Sequence, residues 1–204
     1  MYINAVSDLM AFLEREDLTE SDICTHLATH TLRMLGVNGL FMCTVTDDGR
    51  VRNVASHGVR QAWDDFPLEE ELPITDTLRN NRMVWLADMN EMEQSYPALA
   101  GYTRHSPSGS IVCLPMQRVG SVVGGLGFFS PDVLFPNPTT EAFLKTVTGL
   151  VALKLYLMHG EHPSSEPMIR DRLTDRQIMI LTRLSRGDTN AQIASLIGYS
   201  ESTV

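Results

Sequence analysis

Two tight-turn signals, each set between a pair of apolar runs, constrain this chain more than any other feature. Gly39 to Val45 is apolar, Thr46-Asp47-Asp48-Gly49 supplies turn chemistry, and a second run follows from Val51 to His57. The arrangement returns at Ser110 to Met116 and Ser121 to Phe129, turning at Val119-Gly120. A short turn can join only antiparallel strands, so the pattern predicts two hairpins in an antiparallel sheet. Helical periodicity precedes them. Val6, Leu9, Met10 and Leu13 recur at three and four, and Thr19-Glu20-Ser21-Asp22 then caps a helix with Ile23, Leu27, Thr31 and Met34 or Leu35 on one face. Gly36 ends it.

Between the hairpins, residues 58 to 72 are irregular and acidic, with Asp64, Asp65, Glu69, Glu70 and Glu71. Carboxylates without histidines at ligand spacing read as a solvated surface, so no metal site is expected. Pro73 suits the first turn of a short helix, PITDTLRNN, and Met83 to Leu86 reads as a short buried strand. A second short helix is expected near Asn90 to Leu99, and Gly101 to Gly109 reads as a loop. After Ser130 to Pro138 comes a long helix, capped by Thr139 or Thr140, with Leu144, Val147, Val151, Leu155 and Met158 along one stripe. Phe143, Leu150 and Leu157 form a second stripe beside it. A helix apolar over so much of its circumference covers its own sheet and meets a further helix, either the N-terminal one or that of a second subunit. A homodimer is therefore expected. The stretch His159 to Met168, with two prolines and two serines, has linker composition. These readings predict an α+β domain over residues 1–160 with flanking helices, a linker over 161–170, and a separate unit over 171–204.

Charge sharpens that division. The whole chain carries 16 Lys+Arg against 25 Asp+Glu, a formal charge of -9, which excludes a protein basic throughout. Residues 1–165 hold 11 Lys+Arg and 20 Asp+Glu, while residues 166–204 hold five of each and are neutral. No run reaches the roughly 18 to 20 apolar residues of a spanning helix, and no basic segment precedes an apolar one at the N-terminus. No membrane partner and a cytoplasmic location are expected. Cys24, Cys43 and Cys113 form no CxxC pair and read as free thiols. Two lie inside apolar runs, FMCTV and SIVCL, as small fillers, whereas Cys24 retains a redox or covalent-ligand role as an alternative.

Three passages resemble the GAF family of small-molecule sensor domains, over about residues 5–158. They are LRMLGVNGLFMCTVTDDGRVRNVASHG, PITDTLRNNRMVWLAD and SIVCLPMQRVGSVVGGLGFFSP. The resemblance implies a pocket between the sheet and the segments crossing one of its faces, which in various members holds cyclic nucleotides, tetrapyrroles or other small ligands. The cofactor is not named by the sequence. Cys113 precedes Leu114 rather than a histidine, against a covalently attached bilin. The three scattered cysteines do not match the clustered set of the family's free-methionine-sulfoxide reductases, so no catalytic residues and no enzyme activity are expected. Pocket candidates are His57, Trp63, Trp85, Tyr96, Tyr102 and His105, from loops and strand ends. Within its strand's alternation His57 reads as a core histidine rather than a haem ligand. Phe128 and Phe129 are adjacent, so at most one reaches the pocket. The serines around His105 lack a strand-to-helix elbow, and VGGLG lies within a strand, so neither acyl transfer nor a phosphate cradle is expected.

The last 34 residues, DRLTDRQIMILTRLSRGDTNAQIASLIGYSESTV, carry a different signal. Thr174 with Gln177 forms a capping box, Ile178, Leu181 and Leu184 an apolar face, and Gly187 a stop. Thr189 or Asn190 opens a second helix that ends at Gly198, and Ser200 caps a third. Helix, glycine turn, cap and helix make a helix-turn-helix. It resembles the LuxR-type DNA-binding domain at Leu173, Thr174, Arg176, Leu181, Gly187, Thr189, Asn190, Ile193, Ala194, Leu196, Ser200, Thr203 and Val204, with Gln177 where the family has glutamate. The resemblance implies DNA contacts from Thr189, Asn190, Ser200, Glu201, Ser202 and Thr203. The third helix has one turn here, so the chain is read as a truncated regulator, unable as it stands to bind DNA specifically.

The expected function is a bacterial transcriptional regulator in which a GAF-like sensor controls a LuxR-type reader. Its expected partners are DNA, a second copy, and a small-molecule effector or RNA polymerase. One alternative is an acyl-homoserine-lactone receptor of the LuxR type, disfavoured because no Asp-Pro occurs. Another is a GAF-fold ligand-modifying enzyme using Cys24 or Cys113. In a further one the first domain binds no small molecule and offers only a contact surface.

Overall fold

The computed structural model describes residues 2–59, 65–87, 89–99, 109–118 and 121–159. The chain divides into two units, Met1–His162 and Pro163–Val204. The linker and helix-turn-helix expected after residue 160, with all six DNA-contact candidates, lie outside the described residues, as does the Val119-Gly120 turn.

Helix α1 (Tyr2–Leu13) and helix α2 (Glu20–His26) come first. Thr19 caps α2 in a capping box, its hydroxyl accepting from the Asp22 amide at 3.2 Å while the Asp22 carboxylate accepts from the Thr19 amide at 2.9 Å. The helical path widens to a π turn over Leu27–Thr31 and tightens to a 3₁₀ turn over Arg33–Leu35. It stops at Gly36, whose φ of 64° is the left-handed conformation open to glycine. Ile23, Leu27, Thr31 and Leu35 are all buried, as their spacing predicts. Met10 is the correction: it is 51% exposed, and Phe12 packs on the core from α1 instead.

The sheet follows the two expected hairpins. Strand β1 (Gly39–Val45) pairs with β2 (Arg50–His57), and β5 (Ser110–Arg118) pairs with β6 (Ser121–Ser130). Two short strands, β3 (Phe66–Pro67) and β4 (Val84–Leu86), complete the order β3-β2-β1-β6-β5-β4. Every pairing is antiparallel, with the two hairpins joined along β1 and β6. Both edge strands are only two or three residues long and pair with just Arg50 and Val51 of β2 and Ile111 to Cys113 of β5. Between the hairpins lie helix α3 (Pro73–Asn80), helix α4 (Met89–Ser95) and a 3₁₀ turn at Pro97–Leu99.

Helix α5 (Pro138–His159) closes the described part. Its cap is Asn137 rather than either threonine, since the Asn137 side-chain oxygen accepts from the Thr140 amide at 2.9 Å. An 18-residue window of α5 reaches a mean hydropathy of 1.2, long and apolar enough by composition to cross a membrane. That corrects the reading that no such run exists. Here Phe143, Leu144, Val147 and Val151 spend that apolarity on the sheet. The further helix it meets is α1: Tyr2 stacks on Phe143 at 4.4 Å, and its hydroxyl lies 2.8 Å from that of Thr140. The expected α+β architecture, an antiparallel sheet with flanking helices, is thereby formed.

Candidate functional site

Strand alternation sends successive side chains of β6 to opposite faces. Leu126 and Phe128 join the core under α1, α2 and α5, together with Leu40, Met42, Val112 and Leu114. Gly125, Gly127 and Phe129 face the other side, where Phe41, Cys43, Ile111 and Cys113 form a second core with α3. As expected, only one of the adjacent phenylalanines, Phe129, reaches that face. The glycines there are required by close approach. A Cβ on Gly125 would sit 2.6 Å from Ile74 Cδ1, and one on Gly127 would enter the Phe41 ring.

A shallow cleft, open to solvent, lies on this second face. Its floor is Phe41 of β1, Ile111 and Cys113 of β5 and Phe129 of β6, and its rim is Leu72, Pro73 and Ile74 at the start of α3 with Leu99 of the 3₁₀ turn. The cleft as a whole has room for about one water. Pro73 occupies the first turn of α3, and the Thr75 hydroxyl accepts from the Leu72 amide at 3.1 Å while donating to Glu70 O. These bonds hold the start of α3 over the sheet.

The opposite side of α3 carries the polar part of the site. Asp76 accepts from the Tyr96 hydroxyl at 2.7 Å, from Arg82 at 2.9 Å and from the Asn80 amide. Burial alone would raise the Asp76 carboxyl, but these three donors outweigh it and hold it below the ordinary carboxylate value. Burial, and then that carboxylate, push the Tyr96 phenol up. A residue after α4 is thus pinned to α3 beside the cleft.

All three cysteines are free and buried. Burial raises each thiol, Cys24 and Cys43 to about 12, so they stay protonated near neutrality. Cys24 lies under the helices, its thiol 3.7 Å from Leu40 O, whereas Cys43 and Cys113 belong to the cleft face. Among the described residues no group of three or more His, Cys, Asp or Glu could hold a metal ion.

Of the three pocket candidates among the described residues, Tyr96 alone is placed on this face. His57 pairs with Leu40 and therefore shares the helix face. Trp85 also packs on the helix face, its indole N–H donating to Leu134 O at 2.7 Å. Trp63, Tyr102 and His105 lie outside the described residues. The cleft residues that the sequence reading passed over, Phe41, Ile74, Leu99 and Ile111, are apolar and mostly central in their elements, whereas Cys113 enters that reading as a thiol of the enzyme alternative. Alternating glycines at 125 and 127 were the available signal, since glycine inside a strand marks a face approached closely.

No family model and no curated protein matches the chain. Solved structures do. The GAF domain of an Acinetobacter phosphoenolpyruvate-protein phosphotransferase is similar at TM-score 0.63 and 14% identity, over 78% of this chain and 96% of that one. The nlh2 GAF domain of A. aeolicus, in an inactive state, gives TM-score 0.60 and 17% identity over 76% and 96%. Free methionine-R-sulfoxide reductase from Neisseria meningitidis, in complex with its substrate, gives TM-score 0.62 and 13% identity over 77% and 89%. The exclusion of enzyme activity is corrected by this last likeness, because the same fold forms a reductase. At these identities it is the fold that is shared, and residues 2–159 form a GAF-like α+β domain.

Proposed function

We propose that residues 1–160 are the small-molecule sensor of a cytoplasmic bacterial transcription regulator, whose LuxR-like C-terminal unit reads DNA. One observation carries the sensor reading: an apolar cleft is built on residues whose strand neighbours carry α5. Phe129, Ile111 and Cys113 line the cleft, and Phe128 and Val112 beside them pack under the helices. Occupying the cleft moves β5 and β6, and α5 responds because it rests on the other side of the same strands. A ligand that prefers one placement of α5 shifts the population toward it and so repositions the readers of a homodimer. The reader itself is supported by the sequence resemblance from Leu173 to Val204.

Two measurements test this. Hydrogen exchange on α5 slows when a compound that raises the melting temperature is added; unchanged exchange with a bound compound overturns the coupling. Chromatin immunoprecipitation of the tagged gene product from its host recovers discrete promoter sites, and a flat profile overturns the DNA-reading half.

A thiol-dependent reductase is a second reading, favoured by Cys113 lining the cleft in a fold shared with free methionine-R-sulfoxide reductases. The raised thiols weigh against it. Loss of free methionine-R-sulfoxide in the presence of the chain and a dithiol would establish it.

A further inference from the structure

We propose that α5 is the two-fold contact of a homodimer in which the helices of two copies pack antiparallel across Gly149, the leucines of one copy seated on the small residues of the other. The inference rests on the proposed homodimer and adds which residues meet and in which sense.

The face itself points to a second copy. On the side of α5 turned away from the sheet, Ala142, Thr146, Gly149, Leu153 and Leu157 recur at three and four, and all are exposed. None is charged. The charges beside them are already engaged, Lys145 with Glu141 at 3.7 Å and Lys154 with Arg15 O. Helix α1 borders this seam and runs in the same direction, since Tyr2 stacks on Phe143 while Lys154 reaches Arg15. Phe12 turns toward His26 of α2, so Ile3 and Met10, seven residues apart, lie on the other flank, the one nearer α5. Ile3, Met10, Leu153 and Leu157 are 78%, 51%, 55% and 68% exposed. Together they show on the order of 500 Å², and the small residues between them bring the face near the roughly 800 Å² per partner of a standard interface.

Shape selects the sense of packing. The seam is small along its N-terminal half and large along its C-terminal half. In a parallel pair each residue meets itself, so Leu153 and Leu157 crowd their counterparts while Ala142, Thr146 and Gly149 enclose a void. Turned end for end about Gly149, the same helices interlock. Leu157 of one copy covers Ala142 of the other, Leu153 covers Thr146, and Gly149 faces its counterpart. A Cβ placed on Gly149 meets nothing within 4 Å, so the space over it is open to a partner. The two α5 ends then stand about 28 Å apart, near the roughly 34 Å between half-sites that a dimeric reader needs.

The test uses the full chain at micromolar concentration. Its three cysteines are buried, so an introduced surface cysteine is the reactive thiol. Light scattering gives the mass of two chains for the wild type. Under a mild oxidant, Thr146→Cys combined with Leu153→Cys gives a covalent dimer, whereas either substitution alone leaves its thiols about 10 Å apart and gives about tenfold less. Efficient crosslinking by Leu153→Cys alone overturns the antiparallel sense and leaves the homodimer standing. A dimer that no variant traps overturns α5 as its contact, and a wild-type monomer overturns the homodimer with it. None of these results bears on the coupling of cleft to α5, which hydrogen exchange reads separately.

Discussion

His26 is held in a stack, with the Phe12 ring 3.8 Å away on one side and His30 4.8 Å away on the other, all nearly parallel. Its Nε2 is buried without a hydrogen-bond partner. Burial, and then His30, lower its pKa, while Asp8 opposes them. The folded state therefore binds a proton there less readily than the unfolded chain does. The resulting sign is definite: this stability is whole above the ordinary histidine value near 6.5 and declines as pH falls below it. Urea midpoints at pH 7.5 and 5.5 should drop more for the wild type than for His26→Phe, which keeps the stack but cannot titrate. Gly127 makes a second residue-scale prediction. Gly127→Ala drives a methyl into the Phe41 ring, so it should destabilise by about 1 to 3 kcal/mol, read from denaturant midpoints.

At the level of elements, two polar contacts hold the pieces around the cleft. Asn137→Ala removes the α5 cap and should lower stability by about 1 kcal/mol. Tyr96→Phe releases the chain after α4 from Asp76, at a cost of about 1.5 to 3 kcal/mol for a bond to a charged group. Because the Asp76 carboxyl is lowered in the folded state, its contribution is present above about pH 4 and fades as pH falls through the folded value, so the cost of Tyr96→Phe should shrink in acid. The elements themselves were largely readable. Alternation and Thr46-Asp47-Asp48-Gly49 placed β1 at the residues it occupies, and Gly36 ended the second helical segment where expected. The two-residue β3 has too few positions to show a period. The cleft was hardly readable at all. Which face of a strand receives a ligand depends on which face the helices cover, and the alternation alone is symmetric between them. A bulge between Met42 and Cys43 shifts the β1–β2 register, and His57 and Trp85 fall on the helix side with their polar atoms turned from the cleft.

For the molecule as a whole, the large apolar side chains left exposed among the described residues lie on α1, on α5 and on the loop before α5, where Val133 and Phe135 are exposed. Ile3 of α1 is 78% exposed, and on α5 Leu153 and Leu157 are 55% and 68% exposed. These residues fit the proposed homodimer, with α1 and α5 of each copy in the contact. Light scattering at micromolar concentration should give the mass of two chains, and Leu153→Glu with Leu157→Glu should halve it; a wild-type monomer would remove the dimer. The two stub strands that close the sheet bear on the same question. Phe66–Pro67 pairs only with Arg50 and Val51 of β2, and Val84–Leu86 only with Ile111 to Cys113 of β5, so among the described strands the rest of each long strand has no strand on its outer side. A contact between copies can thus be made of backbone as well as of side chains, and the Leu153→Glu, Leu157→Glu pair tells the two apart, since it leaves a strand-to-strand contact intact.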